Sequence, residues 1–358
     1  MANLMNYIKN YKDKVFDEVP FNEIDNLVFC ELTYLNYDGI IPEDRNTITL
    51  KEVGEIYLKN NKYKDVKKIG IAQKDAYLLL KELINTKRYQ EVLLSNYSYV
   101  GNKSIQFSAM TFRYKKKFIY VAYEGTDDLI SGWKENFNIA YMFPTISHTY
   151  AINYLNKVIK LFDRNIIVGG HSKGGNLALV ASMYCKRRIR RKIKQVYSND
   201  GPGLRKKEIE SKEYKKIRDR YIHIVPNYSY FGVLLRHDKY KVIKSNKKDI
   251  MAHSIMSWQI EDNKLVSSNL STISKNLEKG LIIWLDNNDD KKRKKLITTI
   301  FKAIEDTGIE TVSSLTKLKN VITVIKKIKN IDDETKKIAI DLLKFNTNYI
   351  IENRKNND

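Results

Sequence analysis

Two hydrophobic periodicities alternate along the first third of the chain. Apolar residues recur at spacings of three and four in residues 22–35 and 74–84, which predicts amphipathic helices there. Residues 104–112 alternate between apolar and polar side chains, and residues 118–123 are almost continuously apolar. Both patterns are typical of strands, the second of a buried one, and the three lysines at residues 115–117 indicate a turn between them.

The alternation of strands and helices continues toward the C-terminus. Further strands are predicted at residues 166–168, 195–198, 221–225 and 240–244, and a further helix at residues 149–162. Strands that alternate with helices favour a mainly parallel, doubly wound sheet, so the predicted fold class is α/β. Beyond residue 286 the sequence changes to helices rich in Ile, Leu and Lys, without a strand signal.

These changes of pattern predict three parts of the chain. Residues 1–100 form an N-terminal helical part integrated with the body of the protein, residues 101–285 form the α/β core, and residues 286–358 form a C-terminal helical extension. A chain of 358 residues has room for one large α/β domain with such additional elements.

A serine between small residues follows the strand predicted at residues 166–168. The sequence Gly170-His-Ser172-Lys-Gly174 leads into Asn176-Leu-Ala-Leu-Val-Ala-Ser, the start of a helical pattern. This order of strand, turn and helix is typical of a nucleophile elbow, in which Cβ atoms at positions 170 and 174 would collide with the neighbouring strand and helix. Ser172 is therefore a candidate nucleophile, and the alternative is an ordinary glycine-rich turn.

A serine hydroxyl needs a base to accept its proton, and in α/β hydrolases that base is a histidine later in the chain. Of the five histidines, His148 and His171 precede the serine, and His223 lies within a predicted strand. His253 and His237 lie in predicted loops after the strands, where the base belongs. His253 is the preferred base and His237 is the alternative.

The carboxylate that would orient the base has two candidates. Asp200 follows the strand predicted at residues 195–198 and therefore lies at the same edge of the sheet as Ser172. The more usual place, after the next strand, contains Asn227 and no carboxylate. Asp200 is the preferred acid and Asp238 is the alternative, while Asp200 is equally well interpreted as a turn carboxylate that accepts backbone hydrogen bonds.

Acyl transfer also needs two N–H groups directed at the developing oxyanion. Lys173 would supply one from its backbone, since it follows the serine and begins a helix. Thr126, in the loop after the strand at residues 118–123, would supply the other. The apolar stretch at residues 228–235 would either line an acyl pocket or pack in the core.

The amino-acid composition limits the classes of protein to which the chain can belong. Hydrophobic residues make up 42% of the chain, which is enough for a core, yet no apolar run approaches the roughly 18 residues of a membrane span. The N-terminus lacks the pattern of a secretory signal, so a cytoplasmic location is expected. Cys30 and Cys185 are too few for a disulfide framework or a four-ligand metal site, and no cofactor or metal is predicted.

The net charge of +22 is concentrated in one part of the sequence. Residues 186–220 contain 15 basic and 5 acidic residues, and the densest run is residues 186–194. Because this run precedes a predicted strand, it is expected at the edge of the sheet opposite Ser172, where it would not guide a substrate. It is interpreted as a solvated helix end or as a peripheral contact with an anionic surface, and specific nucleic-acid binding is not expected.

Two segments around these candidates are similar to known families. Residues 123–138 resemble the oxyanion loop of class 3 (fungal-type) lipases and the segment after it, and residues 169–178 resemble their nucleophile elbow. The similarity is greater to the Mbeg-like bacterial α/β hydrolases, a domain-of-unknown-function family that shares segments matching residues 199–203 and 244–258. The resemblance covers about residues 20–285.

The resemblance implies an α/β-hydrolase fold, with Ser172 as nucleophile, Thr126 at the oxyanion hole and His253 as base. Two positions depart from the lipase pattern. Glu124 stands where the lipases usually have arginine, and no aspartate lies near Asn227. The resemblance to the lipases therefore implies neither their substrate specificity nor the identity of the catalytic acid in this chain.

The sequence thus predicts an esterase- or lipase-like serine hydrolase acting on a small acyl or lipid substrate, with Ser172, His253 and Asp200 as the catalytic residues. The alternative is a catalytically weak or inactive α/β-hydrolase scaffold that binds a lipid, a membrane surface or a protein partner.

Overall fold

The computed structural model describes residues 2–102, 105–126 and 130–309, and single positions between residues 311 and 333. Most of the predicted C-terminal extension beyond residue 309 lies outside the described residues. The helices are α1 (Leu4–Tyr11), α2 (Glu23–Leu32), α3 (Leu50–Asn60), α4 (Tyr63–Ile69), α5 (Ile71–Leu83), α6 (Ile130–Asn138), α7 (Ile146–Val158), α8 (Lys173–Tyr184), α9 (Arg187–Arg190), α10 (Lys206–Ile209), α11 (Lys212–Lys215), α12 (Thr272–Asn287) and α13 (Asp290–Glu305). The strands are β1 (Ile48–Thr49), β2 (Leu93–Asn102), β3 (Ile105–Tyr114), β4 (Phe118–Tyr123), β5 (Ile166–His171), β6 (Ile193–Asn199), β7 (Tyr221–Pro226), β8 (Lys241–Ile243), β9 (Ile260–Glu261) and β10 (Lys264–Leu265). Short 3-10 helices cover Arg218–Arg220, Asp249–His253 and Ile255–Ser257.

Eight strands form one sheet in the order in which they occur in the sequence, from β1 to β8. Strands β4 to β8 pair in parallel, while β1 is antiparallel to β2 and β3 is antiparallel to β4. The predicted α/β class with a mainly parallel sheet is confirmed. Because β5 and β6 are parallel neighbours, the residues that follow them, Ser172 and Asp200, lie at the same edge of the sheet.

Helices cover both faces of the sheet. On one face, the Tyr120 hydroxyl donates to Asn26 Oδ1 of α2 at 2.7 Å. On the other, the Tyr123 hydroxyl donates to the Ala151 carbonyl of α7 at 2.8 Å. The two tyrosines are three positions apart on β4, and residues at odd spacing on a strand point to opposite faces. Since the parallel strands follow one another in sequence order, right-handed crossovers place α7 and α8 on one face, and the N-terminal α2 covers the other.

The boundaries of several elements differ from the predicted ones. The strand predicted at residues 104–112 extends to Tyr114, and β2 and the two-residue β1 precede it without having been predicted. The helix predicted at residues 149–162 ends earlier, at Val158. The Asp163 carboxylate accepts a hydrogen bond from the Lys160 backbone N–H at 2.8 Å, which closes a turn in place of a further helical turn.

A buried ion pair joins α2 to the segment before β2. Arg88 donates from Nε and Nη2 to the two carboxylate oxygens of Asp25, at 2.9 and 2.7 Å, and both side chains are fully buried. The Tyr89 hydroxyl also donates to Asp25, at 2.6 Å. Loss of one member of such a pair leaves an uncompensated buried charge and costs about 3–5 kcal/mol. This pair therefore fixes α2 against the segment that leads into β2.

The described chain divides into two compact units. The first contains residues 2–102, 106–126 and 146–282, and the second contains residue 105, residues 130–145 and residues 283–309 with the described positions beyond them. Within the second unit α6 packs against α13, with the rings of Phe137 and Phe301 5.6 Å apart. The three-part division predicted at residues 100 and 285 stays a prediction.

The composition led to expectations about membrane-spanning helices and about the two cysteines. No helix formed by the described residues is long and apolar enough to cross a membrane. Cys30 and Cys185 are buried and free, and burial raises the pKa of each thiol to about 12. Both thiols are therefore protonated, and the Cys30 thiol also accepts a hydrogen bond from Asn199 Nδ2 at 3.2 Å.

Candidate active site

Ser172 occupies the turn between β5 and α8 in a strained backbone conformation. Its φ of 55° and ψ of −128° lie in a region that costs about 1–3 kcal/mol for a residue with a side chain. Two hydrogen bonds hold this turn: the Ser172 N–H donates to the Asn199 carbonyl at 2.9 Å, and the Gly175 N–H donates to the Ser172 carbonyl at 3.0 Å. The serine is thereby fixed at the N-terminus of α8.

The glycines on either side of Ser172 let the helix approach the sheet. A Cβ atom on Gly170 would collide with the backbone of Gly174, and one on Gly174 would collide with the carbonyl oxygen of Tyr123. These collisions are the ones that the nucleophile-elbow pattern predicts. The second contact also brings the loop after β4, which contains Thr126, next to the first turn of α8.

A histidine and a carboxylate are hydrogen-bonded beside this turn. His253 Nδ1 and Asp200 Oδ2 are 2.6 Å apart, with the aspartate side chain fully buried and the histidine side chain 16% exposed. Asp200 directly follows β6, and His253 ends a short 3-10 helix after β8. The structure therefore brings together two of the residues that the sequence proposed for one site.

Residues after β7 hold the Asp200 carboxylate. Its Oδ1 accepts hydrogen bonds from the Gly232 N–H, at 3.0 Å, and from the Ser229 hydroxyl. The ring of Phe231 packs edge-on against the ring of His253, with centroids 4.5 Å apart. These residues belong to the apolar stretch at 228–235. Part of that stretch therefore surrounds the acid and the base, a role for which Ser229 and Gly232 gave no signal in the sequence.

His171, the neighbour of Ser172, connects the turn to the loop of His253. His171 Nε2 lies 2.9 Å from the His253 carbonyl oxygen, and its Nδ1 lies 2.7 Å from the Tyr34 hydroxyl. Burial, and the nearby His253, hold the pKa of His171 well below the usual value. The neutral ring must donate from Nε2, because a carbonyl only accepts, so Nδ1 accepts from Tyr34. Sequence reasoning missed this contact, and the position of His171 within the elbow was its only signal.

An asparagine on α8 holds the loop that contains Asp200. Asn176 Nδ2 donates to the carbonyls of Pro202 and Gly203, at 3.1 and 2.8 Å. Its Oδ1 lies 2.6 Å from His148 Nε2, which donates because the amide oxygen is an acceptor. The loop after β6 is thus attached to the same helix that begins at the candidate nucleophile.

The two proposed oxyanion donors lie on either side of the close contact between β4 and α8. Thr126 is 8% exposed in the loop after β4, and Lys173 is the first residue of α8. The Lys173 side chain is buried, and its Nζ donates to the Gln106 carbonyl of β3 at 2.6 Å. The lysine side chain is therefore directed toward β3, while its backbone N–H belongs to the first turn of the helix.

The alternative base and acid make other contacts. His237 Nε2 donates to the Leu234 carbonyl at 3.0 Å, and its ring stacks on His223 with centroids 4.4 Å apart. Asp238 pairs with Arg218 Nε at 2.7 Å. His237 and Asp238 are therefore each bonded to other residues and do not form an acid–base pair. Among the described residues, no group of three or more His, Cys, Asp or Glu side chains is placed to hold a metal ion.

The burial of His237 predicts a pH-dependent contribution to stability. Burial lowers its pKa from 6.5 to about 4. Between these values the unfolded chain binds a proton that the folded protein does not, so the free energy of unfolding falls as the pH decreases from about 6.5 to 4. We expect His237→Gln, which does not titrate, to remove about 2 kcal/mol of the loss between pH 7.5 and 5.

Urea unfolding of the wild type and His237→Gln at both pH values measures this difference. Carboxylates titrate equally in both proteins and cancel in the comparison. Stability curves that change by the same amount with pH in both proteins would contradict the prediction.

The sequence profile of the Mbeg1-like family matches residues 83–302, more than half of the chain. The chain belongs to the Mbeg1-like family. This confirms the resemblance inferred from the motifs. The matched Mbeg1-like range contains Thr126, Ser172, Asp200 and His253, whereas Tyr34 precedes it.

Other comparisons add little to the Mbeg1-like assignment. No curated protein matches the chain significantly. Among solved structures, one titled "Crystal structure of M37 lipase" matches with 14% sequence identity and a TM-score of 0.34, over 74% of this chain and 80% of that one. At this TM-score the likeness carries no argument about the reaction.

Proposed function

We propose that the protein is a serine hydrolase that cleaves an acyl ester. The observation that carries the proposal is the 2.6 Å hydrogen bond between His253 and Asp200. A base that is oriented by a buried carboxylate, next to a serine on a strained turn, is the arrangement that activates a hydroxyl nucleophile. The contact of His171, the neighbour of Ser172, with the His253 carbonyl supports the assignment of all three residues to one site.

The proposed reaction has two steps. In the first, Ser172 Oγ attacks the ester carbonyl carbon while His253 Nε2 accepts the hydroxyl proton. The tetrahedral intermediate then breaks its bond to the alcohol oxygen, which takes the proton from His253 and leaves. In the second step, His253 removes a proton from water, the water oxygen attacks the acyl-serine, and Ser172 regains the proton as the carboxylic acid leaves.

Asp200 keeps the imidazole of His253 in the reactive tautomer. Its Oδ2 accepts the Nδ1 proton, so Nε2 is left with a lone pair toward the serine. Because Ser229 and Gly232 donate to the other carboxylate oxygen, Oδ1, the carboxylate remains satisfied while Oδ2 binds the histidine. The same pair stabilises the imidazolium that forms when the proton is transferred.

The oxyanion is stabilised by the backbone N–H groups of Thr126 and Lys173. Each such donor contributes about 10²–10³ in rate in serine hydrolases. Lys173 begins a helix of 12 residues, whose positive N-terminal end favours the negative charge. Phe231, packed on the ring of His253, supplies an apolar surface for the acyl group next to the base.

A fluorophosphonate probe tests the proposal directly. We expect the folded protein to be labelled and the adduct to map to Ser172 by peptide mass spectrometry, because the probe phosphonylates only an activated serine. Heat-denatured protein is the control and should not react. A folded protein that resists labelling would remove the enzyme proposal and leave the inactive scaffold. A series of p-nitrophenyl esters from acetate to laurate then measures the preferred acyl length.

A further inference from the structure

The loop between α7 and β5 exposes two large apolar side chains. Phe162 is 87% exposed and Leu161 is 58% exposed. Single exposed apolar residues are common on protein surfaces, but two adjacent ones at the tip of a loop present a compact apolar projection. The loop itself is held firmly, because Asp163 accepts from the Lys160 N–H and pairs with Arg113 at 3.1 Å.

A dense set of cations lies next to this projection. Lys192 Nζ donates to the carbonyl oxygens of Lys160, at 3.0 Å, and Leu161. This contact joins the loop at residues 160–164 to the basic run at residues 186–194. We call the combined surface the basic–aromatic face. Its exposed residues are Lys160, Leu161, Phe162, Arg164, Lys186, Arg187, Arg188, Arg191 and Lys194.

The cations of the basic–aromatic face have few counter-charges. No carboxylate among the described residues forms an ion pair with a lysine or arginine of residues 186–194. Burial, and the neighbouring cations Arg164 and Arg188, lower the pKa of Lys192, while Asp163 acts in the opposite direction. Asp163, the acidic residue of the loop, is already paired with Arg113 and Arg45. The exposed charged residues of the face are all basic, so the face carries a net positive charge around an apolar tip.

The basic–aromatic face lies away from the candidate active site. Its two segments precede β5 and β6, whereas Ser172 and Asp200 follow the same strands. Parallel strands of six and seven residues separate the two edges by about 20 Å. The face is therefore separate from the candidate active site at Ser172.

The chemistry of the face favours one class of partner. A nucleic acid would use the cations, but it offers no apolar environment for the aliphatic Leu161. An anionic bilayer offers both, since apolar side chains enter the boundary between headgroups and acyl chains while lysine and arginine contact lipid phosphates. We propose that the basic–aromatic face docks the protein on an anionic lipid surface, with Leu161 and Phe162 inserted and residues 186–194 on the phosphates. The serine then faces away from the bilayer.

Vesicle flotation of the full-length protein tests this proposal. We expect binding to vesicles of phosphatidylcholine with phosphatidylglycerol, weakened by salt, and little binding to pure phosphatidylcholine. The double variant Leu161→Ser/Phe162→Ser should bind about tenfold or more weakly. Arg187→Glu/Arg188→Glu should weaken binding to a similar degree. This second variant tests the proposal even if Leu161→Ser/Phe162→Ser folds poorly.

Matched variants control for apolarity, total charge and catalysis. Ile69→Ser/Ile71→Ser removes two exposed apolar residues elsewhere, and Lys206→Glu/Lys207→Glu makes the same change of charge outside the face. Both controls, and Ser172→Ala, should float as the wild type does. Face variants that bind as the wild type does would overturn the proposal. The proposal would also be overturned if the protein failed to bind anionic vesicles but retained duplex DNA or RNA in a salt-dependent manner. That result would assign the face to nucleic-acid binding.

Discussion

Ser172→Ala is expected to lower the rate of ester hydrolysis by about 10⁵-fold or more, because the proposed acyl intermediate forms on Ser172 Oγ. The substitution removes only Oγ. At a φ of 55° the backbone of alanine is as strained as that of serine. The free energy of unfolding should therefore change by less than about 0.5 kcal/mol. Initial rates with p-nitrophenyl butyrate and urea unfolding of both proteins measure the two effects separately.

A serine on α8, the helix that follows Ser172, supplies the control for Ser172→Ala. The Ser182 hydroxyl is buried in α8 and donates to the Ala178 carbonyl at 2.7 Å. Ser182→Ala should therefore affect stability more than Ser172→Ala does, and activity less. Retention of ester hydrolysis by purified Ser172→Ala would assign the activity to another group and would end the case for this serine.

Asp200→Asn is expected to lower kcat by about 10⁴-fold while leaving the fold intact. An amide nitrogen at the position of Oδ2 would donate to His253 Nδ1 and so place the imidazole proton on Nε2. A protonated Nε2 cannot accept the proton of Ser172. The same variant should lose fluorophosphonate reactivity in parallel, because the probe depends on the same activation of the serine.

The second candidate acid supplies the control for Asp200→Asn. Asp238 pairs with Arg218 at the surface, so Asp238→Asn should leave kcat unchanged. Measurement of kcat and KM for both variants distinguishes the two carboxylates. A large loss in Asp238→Asn, with activity retained in Asp200→Asn, would reverse the assignment.

Local pattern determined which parts of the site could be predicted. Ser172 could be proposed as the nucleophile because its glycines and its flanking strand and helix are all adjacent in sequence. Asp200 could only be ranked, since its partner His253 lies 53 residues later and depends on how the loop after β8 folds. Tyr34 gave no signal at all, because its contact with His171 spans 137 residues and is made by an ordinary phenol.

The fold was predictable to a similar extent. Strands β4 and β5 are buried and apolar, so their sequences identify them. Strand β2 was missed because Leu93–Asn102 is mostly polar, with serines, asparagines and tyrosines that reveal no alternation. The early end of α7 was missed because Asp163 stops the helix through a hydrogen bond that propensity does not encode.

The hydrogen bond between Tyr34 and His171 bears on where the shortest fragment that keeps the candidate site intact begins. The family profile starts at residue 83, yet the phenol that donates to His171 Nδ1 comes from residue 34. A fragment cut at the start of the profile would keep Ser172, Asp200 and His253 but lose that donor. The same cut would also remove Asp25, the buried partner of Arg88, so the unit that folds extends toward the N-terminus beyond the range of the family profile.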